Sequence, residues 1–101
     1  MIYLTQLVYI KPGQEKTFDE FENVAIPAIL KYNGRLLIRI RPDENSVIES
    51  HINHPYEIHI IEFDAEEDFL RFGNDEDRKK VLHLKNQSVS AVRLMKGVEL
   101  T

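Results

Sequence analysis

Apolar and polar positions change period several times along this chain, and each change marks an element. Ile2–Ile10 alternates as a strand does, with Ile2, Leu4, Gln6, Val8 and Ile10 on one side and Tyr3, Thr5, Leu7 and Tyr9 on the other. Both sides carry large side chains, which predicts a strand covered on both faces. Pro12-Gly13 then ends it. From Gln14 to Tyr32 the spacing becomes helical: Phe18, Phe21, Ala25, Ala28, Ile29 and Tyr32 share a stripe, and Glu15, Lys16, Asp19 and Glu22 lie elsewhere. Pro27 removes one helical hydrogen bond and predicts a kink after the second turn. Asn33-Gly34 supplies a left-handed C-cap.

Leu36–Arg41 alternates again as a second strand, and Pro42-Asp43-Glu44-Asn45 reads as a turn. Ser46–Ile52 has enough alternation to predict a short edge extension, closed by Asn53-His54-Pro55. Tyr56–Phe63 is the third strand. In Asp64-Ala-Glu-Glu67 the first residue caps a helix and the last reaches back, a capping box. That helix runs to about Phe72 and breaks at Gly73-Asn74. A second piece, Asp75-Glu-Asp-Arg-Lys-Lys80, has acids before bases, as the helix dipole prefers, and Val81, Leu82 and Leu84 anchor it. Val89–Lys96 is the last strand.

Strand–helix–strand–strand–helix–strand is the split βαβ plan. The expected fold is therefore α+β: a ferredoxin-like βαββαβ unit, its four-stranded antiparallel sheet carrying helices on one face. Right-handed crossovers put the first and third strands in the centre. No linker interrupts the chain, so residues 1–101 form a single domain.

With strand parity carried unchanged along the chain, the even positions form the cleaner apolar set and are assigned to the helices. The odd positions then form an open face holding Leu7, Tyr9, Leu37, Ile61, Phe63 and Met95 among Arg39, Arg41, Glu57, His59 and Arg93. So much exposed apolar surface calls for a cover, and a second copy supplies it through a self-complementary interface. A homodimer through the open sheet face is expected, with Arg39, Glu57, His59 and Arg93 as a polar network in its interior.

Composition narrows the function classes. A net charge of −4 argues against nucleic-acid binding, which needs a basic footprint. No run approaches the ~18 apolar residues of a membrane span, and no basic-then-apolar leader opens the chain. Zero cysteines remove disulfides, thiolate metal sites and a cysteine nucleophile. A cytoplasmic protein is the expectation.

The order of elements, the Tyr32-Asn-Gly-Arg35 exit from the first helix, and the paired Phe18/Phe21 and Phe69/Phe72 half-repeats resemble the dimeric α/β-barrel superfamily over residues 2 to 97. Within it the chain is most similar to small bacterial members of unassigned function related to antibiotic-biosynthesis monooxygenases. The resemblance implies a homodimer and a small-molecule pocket between sheet and helices. Members include cofactor-free monooxygenases, muconolactone isomerases, haem-degrading enzymes and stress-responsive proteins, and fold membership does not choose among them. The haem-degrading relatives use a tryptophan and an asparagine; this chain has no Trp and carries Gln6. No cofactor is expected.

For the pocket, Gln6 and Glu62 are the polar residues on the even face, Tyr32 ends the first helix, and His83 interrupts an apolar run on the second. His83 is the catalytic candidate, as a general base, with Gln6, Tyr32 and Glu62 as ligand-binding candidates. Glu49, His51 and His54 have ligand chemistry for a divalent ion, but their spacing matches no established motif, so no metal is assigned. Three function classes follow: a ligand-binding or sensing dimer, a cofactor-free monooxygenase or isomerase acting on a small organic substrate, and a non-catalytic assembly module.

Overall fold

The computed structural model describes residues 1–101. Strand β1 (Ile2–Ile10) leads into helix α1 (Glu15–Ala28), which tightens into a 3₁₀ turn (Ile29–Tyr32) before strand β2 (Gly34–Ile40). Strand β3 (Glu57–Phe63) follows a long loop, and three short helices, α2 (Glu66–Gly73), α3 (Glu76–Lys80) and α4 (Leu82–Ser88), precede strand β4 (Val89–Gly97). The antiparallel sheet has the order β2-β3-β1-β4, so the first and third strands are central, as the crossover rule requires. All helices lie on one face, the ferredoxin-like α+β arrangement. No helix is long and apolar enough to cross a membrane.

Several local expectations are corrected. Pro27 lies one residue from the end of α1, which does not break earlier but tightens where Ile29 N–H bonds Ile26 C=O. Of the Asn33-Gly34 pair only Asn33 takes the left-handed conformation, φ 56° and ψ 36°. Gly34 is needed for a different reason. A Cβ there would lie 2.5 Å from Cε1 of Phe63 and 2.7 Å from Cγ2 of Ile29. Both neighbours sit in the tightest part of the core, with Leu4 and Ile61. Gly34→Ala is therefore expected to destabilise by about 1–3 kcal/mol through overpacking, read as a lower denaturation midpoint. An unchanged midpoint would mean that the Phe63 ring moves freely.

The capping box does not form: Ala65 is the N-cap residue of α2 and no side chain caps it. Asp64 instead accepts a hydrogen bond from Arg35 at 2.6 Å. Ser46–Ile52 is not a strand. Asp43 caps a single 3₁₀ turn at Glu44–Ser46, and the following loop leaves Ile48 fully exposed.

The largest correction concerns strand parity. Residues directly opposite in an antiparallel pair share a face. β1 and β3 pair Leu4 with Ile61, Gln6 with His59 and Val8 with Glu57, so even positions of β1 lie beside odd positions of β3. Two bulges change parity again. Between Leu36 and Ile38 the β2 register slips by a residue, placing Arg39 beside His59; on β4 the slip between Tyr9 and Ile10 of β1 places Val89 beside Ile10. Glu57, His59, Ile61, Phe63 and Arg39 therefore face the helices. The open face instead collects Tyr3, Leu7, Tyr9, Ile38, Ile40, Ile58, Ile60 and Met95. It is more apolar than the sequence pattern suggested.

Candidate functional site

The helix-side face of the sheet is fully packed at one end and hollow at the other. At the packed end Phe63 is inaccessible to solvent and stacks on Phe69 and Phe72, each 5.7 Å away between ring centroids. Towards the other end a cavity lies between the sheet, α1 and the α3–α4 pair. Its empty volume, with the open mouth included, is ≈ 480 Å³. Solvent space at the mouth is part of that volume, so the enclosed part suits one ring or a short branched chain rather than a multi-ring molecule. The walls are apolar, including Val8, Phe18, Phe21 and Ile61, and the polar lining is Gln6, Glu22, His59, Arg78 and Lys85.

The floor is a line of hydrogen bonds. Glu57, 1% exposed, accepts from Arg39 Nε at 2.7 Å and from Arg41 Nε at 3.0 Å. Asp19 on α1 accepts from Arg41 Nη2 at 2.5 Å, which ties this cluster to the helix. On its other oxygen Glu57 meets His59 Nε2 at 3.2 Å, and His59 Nδ1 meets Gln6 Nε2 at 3.4 Å. An ionised carboxylate only accepts and an amide nitrogen only donates. With Gln6 in this orientation, His59 carries its proton on Nε2 and presents Nδ1 as an acceptor. Burial by itself would push the Glu57 carboxyl up, but hydrogen bonds from His59 and Arg39 outweigh it and hold Glu57 below the usual carboxylate range.

Glu22 faces this line from α1. It is 5% exposed and takes part in no hydrogen bond or ion pair, although no fully enclosed side-chain polar atom of the protein lacks a partner. Its carboxyl oxygens therefore border the open space of the cavity. Burial pushes the Glu22 carboxyl up, and His59 and Arg39 offset this only in part. A carboxyl that holds its proton more tightly than usual is suited to donating it to a basic oxygen.

The sign of the linkage makes this testable. The native state holds the Glu22 proton more tightly than the unfolded chain, so stability falls as pH rises from the ordinary carboxylate range through the raised value. Glu22→Gln removes that fall. The variant should melt higher than the parent at pH 8 and match it near pH 4; parallel melting curves across this range would refute a raised Glu22.

The sequence candidates divide. Gln6 lines the cavity. Tyr32 does not: its hydroxyl donates to Asp75 at 2.6 Å, and with Lys31 and the backbone N–H of Arg78 it holds the Asp75 carboxyl down at about 2. That cluster fixes the start of α3 and so positions Arg78. Glu62 is on the open face, accepting from Arg35 at 2.7 Å. His83 is exposed on α4, because its flanking Leu82 and Leu84 take the inward positions. Arg39, Glu57 and His59 do form a network, but beneath the helices, while Arg93 lies apart on the open face opposite Leu7. Glu49 and His51 stand 3.8 Å apart in the loop, and His54 is turned to the carbonyl of Pro42 instead, so the three do not converge.

Three lining residues escaped the sequence reading: Glu22, Arg78 and Lys85. Glu22 had a signal that its place outside the main stripe hides: it lies four residues after Phe18 and four before Ile26, so apolar side chains flank it along one helical row. For Arg78 and Lys85 no local signal exists, because short helices joined by a turn have no shared period.

No protein-family model matches the chain, and no curated protein matches it by sequence. Solved structures do. A protein of unknown function from Rhodopseudomonas palustris superposes with a TM-score of 0.82 at 15% identity, covering 99% of this chain and 82% of that one. One from Arabidopsis thaliana gives 0.77 at 11% identity over 100% and 97% of the two chains. An uncharacterized NIPSNAP domain protein from Burkholderia xenovorans gives 0.71 at 11% identity over 98% and 94%. At such identities the likeness establishes the ferredoxin-like fold that these proteins share, and it does not single out the antibiotic-biosynthesis monooxygenases.

Proposed function

We propose that this chain binds a small, largely apolar organic molecule in the cavity between sheet and helices, and that its own side chains move a proton on that molecule. The observation that carries the reading is the convergence of a Glu57–His59 pair and an unpartnered, buried Glu22 on one apolar-walled space. A base oriented by a carboxylate, facing a carboxyl that tends to stay protonated, separates the two proton-transfer roles.

The step balances simply. A carbon next to a carbonyl gives its proton to His59 Nδ1, displacing the long contact to Gln6. The C–H electron pair becomes the new C=C bond as the carbonyl π pair moves onto oxygen, and Glu57 stabilises the resulting imidazolium. Glu22 donates its proton to that oxygen, giving the enol. Return of a proton to a different carbon would complete an isomerisation. Incubating the protein in D2O with small cyclic 1,3-diketones and enolisable aryl ketones, and following C–H exchange by NMR, tests this. Exchange should exceed that in buffer and depend on His59; exchange at the buffer rate across the panel would sink the reading.

A homodimer is part of the same proposal, supported by the open face. Ile38 and Ile40 there are 43% and 41% exposed, beside Leu7, Ile58, Ile60 and Met95, with no helix above them. Ile60→Asp on central strand β3 would put a charge into the interface on both subunits. Sedimentation at low micromolar concentration should give a dimer for the parent and a monomer for the variant. A monomeric parent would remove the proposal.

A further inference from the structure

We propose that the cavity takes a small monoanion, one ring or a short branched chain bearing a single carboxylate, and that Arg78 and Lys85 hold the carboxylate at the rim. The apolar body then lies against Phe18, Phe21, Ala25 and Ile61. The inference rests on the reading of the cavity as a small-molecule site and adds the charge and orientation of its occupant.

Four basic side chains of this protein are half-buried: Arg35, Arg39, Arg78 and Lys85. Arg35 is paired with Glu62 and Asp64, and Arg39 with Glu57. Arg78 and Lys85 take part in no ion pair, and they are the two that line the cavity. In a protein of net charge −4, the cavity wall thus carries two cations against the single carboxyl of Glu22, which burial tends to neutralise. Half-buried cations without a partner cost stability, and a site built for an anion is where that cost is recovered on binding.

The local geometry suits a carboxylate. The Arg78 guanidinium lies 5.8 Å from the centroid of Phe21 and 5.4 Å from that of Phe72, so two rings hold it. Its side chain makes one protein hydrogen bond, from Nη1 to the Gly73 carbonyl at 3.3 Å, leaving other N–H groups of the fork for a ligand. Lys85 arrives from the next helix and adds a second donor. Burial pulls both groups below their ordinary values, Lys85 with added repulsion from Arg78; the Glu22 carboxyl opposes this only in part, and a bound anion would offset more of it.

Benzoate and its neutral isostere benzamide test this, titrated by calorimetry or by NMR shifts into the parent, Lys85→Met and Arg78→Met. Methionine keeps an apolar stem of similar length between Phe21 and Phe72; should Arg78→Met fail to fold, Lys85→Met carries the test. The parent should bind benzoate about tenfold or more tightly than benzamide. Each substitution should collapse that preference by weakening benzoate far more than benzamide. Equal affinities in the parent, or a preference that survives both substitutions, would overturn the carboxylate site and leave the cavity reading standing. Failure of both probes to bind the parent would overturn both.

Discussion

Replacing Glu57 with alanine is expected to lower stability by about 3 kcal/mol, the largest single-residue effect among the polar groups here. Glu57 is 1% exposed and is the shared acceptor for Arg39, Arg41 and His59. Its removal strands three donors at once. The cost falls at the lower end of the range for breaking buried ion pairs, because Arg39 and Arg41 are 30% and 45% exposed and can recover water. Glu57→Gln should cost less, since its amide oxygen still accepts.

The pH dependence carries a second signature. The native carboxyl of Glu57 is held below its unfolded value, so its contribution is complete above the ordinary carboxylate range and is lost as pH falls through the lowered value. Denaturation midpoints of the parent and Glu57→Ala should therefore converge on acidification. A variant as stable as the parent at pH 7 would mean that the two arginines gain nothing from Glu57.

His59→Gln is expected to separate chemistry from structure. A glutamine at 59 can donate its amide N–H to Glu57 and offer its carbonyl to the Gln6 N–H, replacing both hydrogen bonds of the imidazole. Stability should change by about 1 kcal/mol or less. An amide cannot take up a proton at working pH, so C–H exchange in the trial ketones should fall by about 10²–10⁴-fold, the usual contribution of a positioned base. Loss of stability with no loss of exchange would make His59 a core hydrogen-bonding residue and nothing more.

Face assignment was the point where the sequence pattern misled, and the reason is specific. Phe63 and Ile61 look interchangeable with Ile58 and Ile60 as core residues, because both faces of β3 are apolar. The sequence pattern has no way to show that Leu4 pairs with Ile61 rather than with a neighbour one residue away. A single step of register exchanges the faces. That step moved His59 and Glu57 from an expected dimer interior to the helix side of the sheet, where His59 lines the cavity, and exchanged Ile58 and Ile60 onto the open side. The preference for His83 as a base followed from the same assumption. Once Leu82 and Leu84 take the inward positions, His83 points to water.

Local chemistry was enough for the order of the elements. Alternation, helical spacing, Asn33 and the breaks at Pro12-Gly13 and Gly73-Asn74 determined the order of elements, and the handedness of crossovers determined the sheet order. These are properties of consecutive residues and of chain chirality. Which side chains meet across strands depends instead on two bulges and on loops whose lengths leave the register free. The tertiary structure alone decided that Gln6, Glu22, His59, Arg78 and Lys85, drawn from five separate elements, line one cavity.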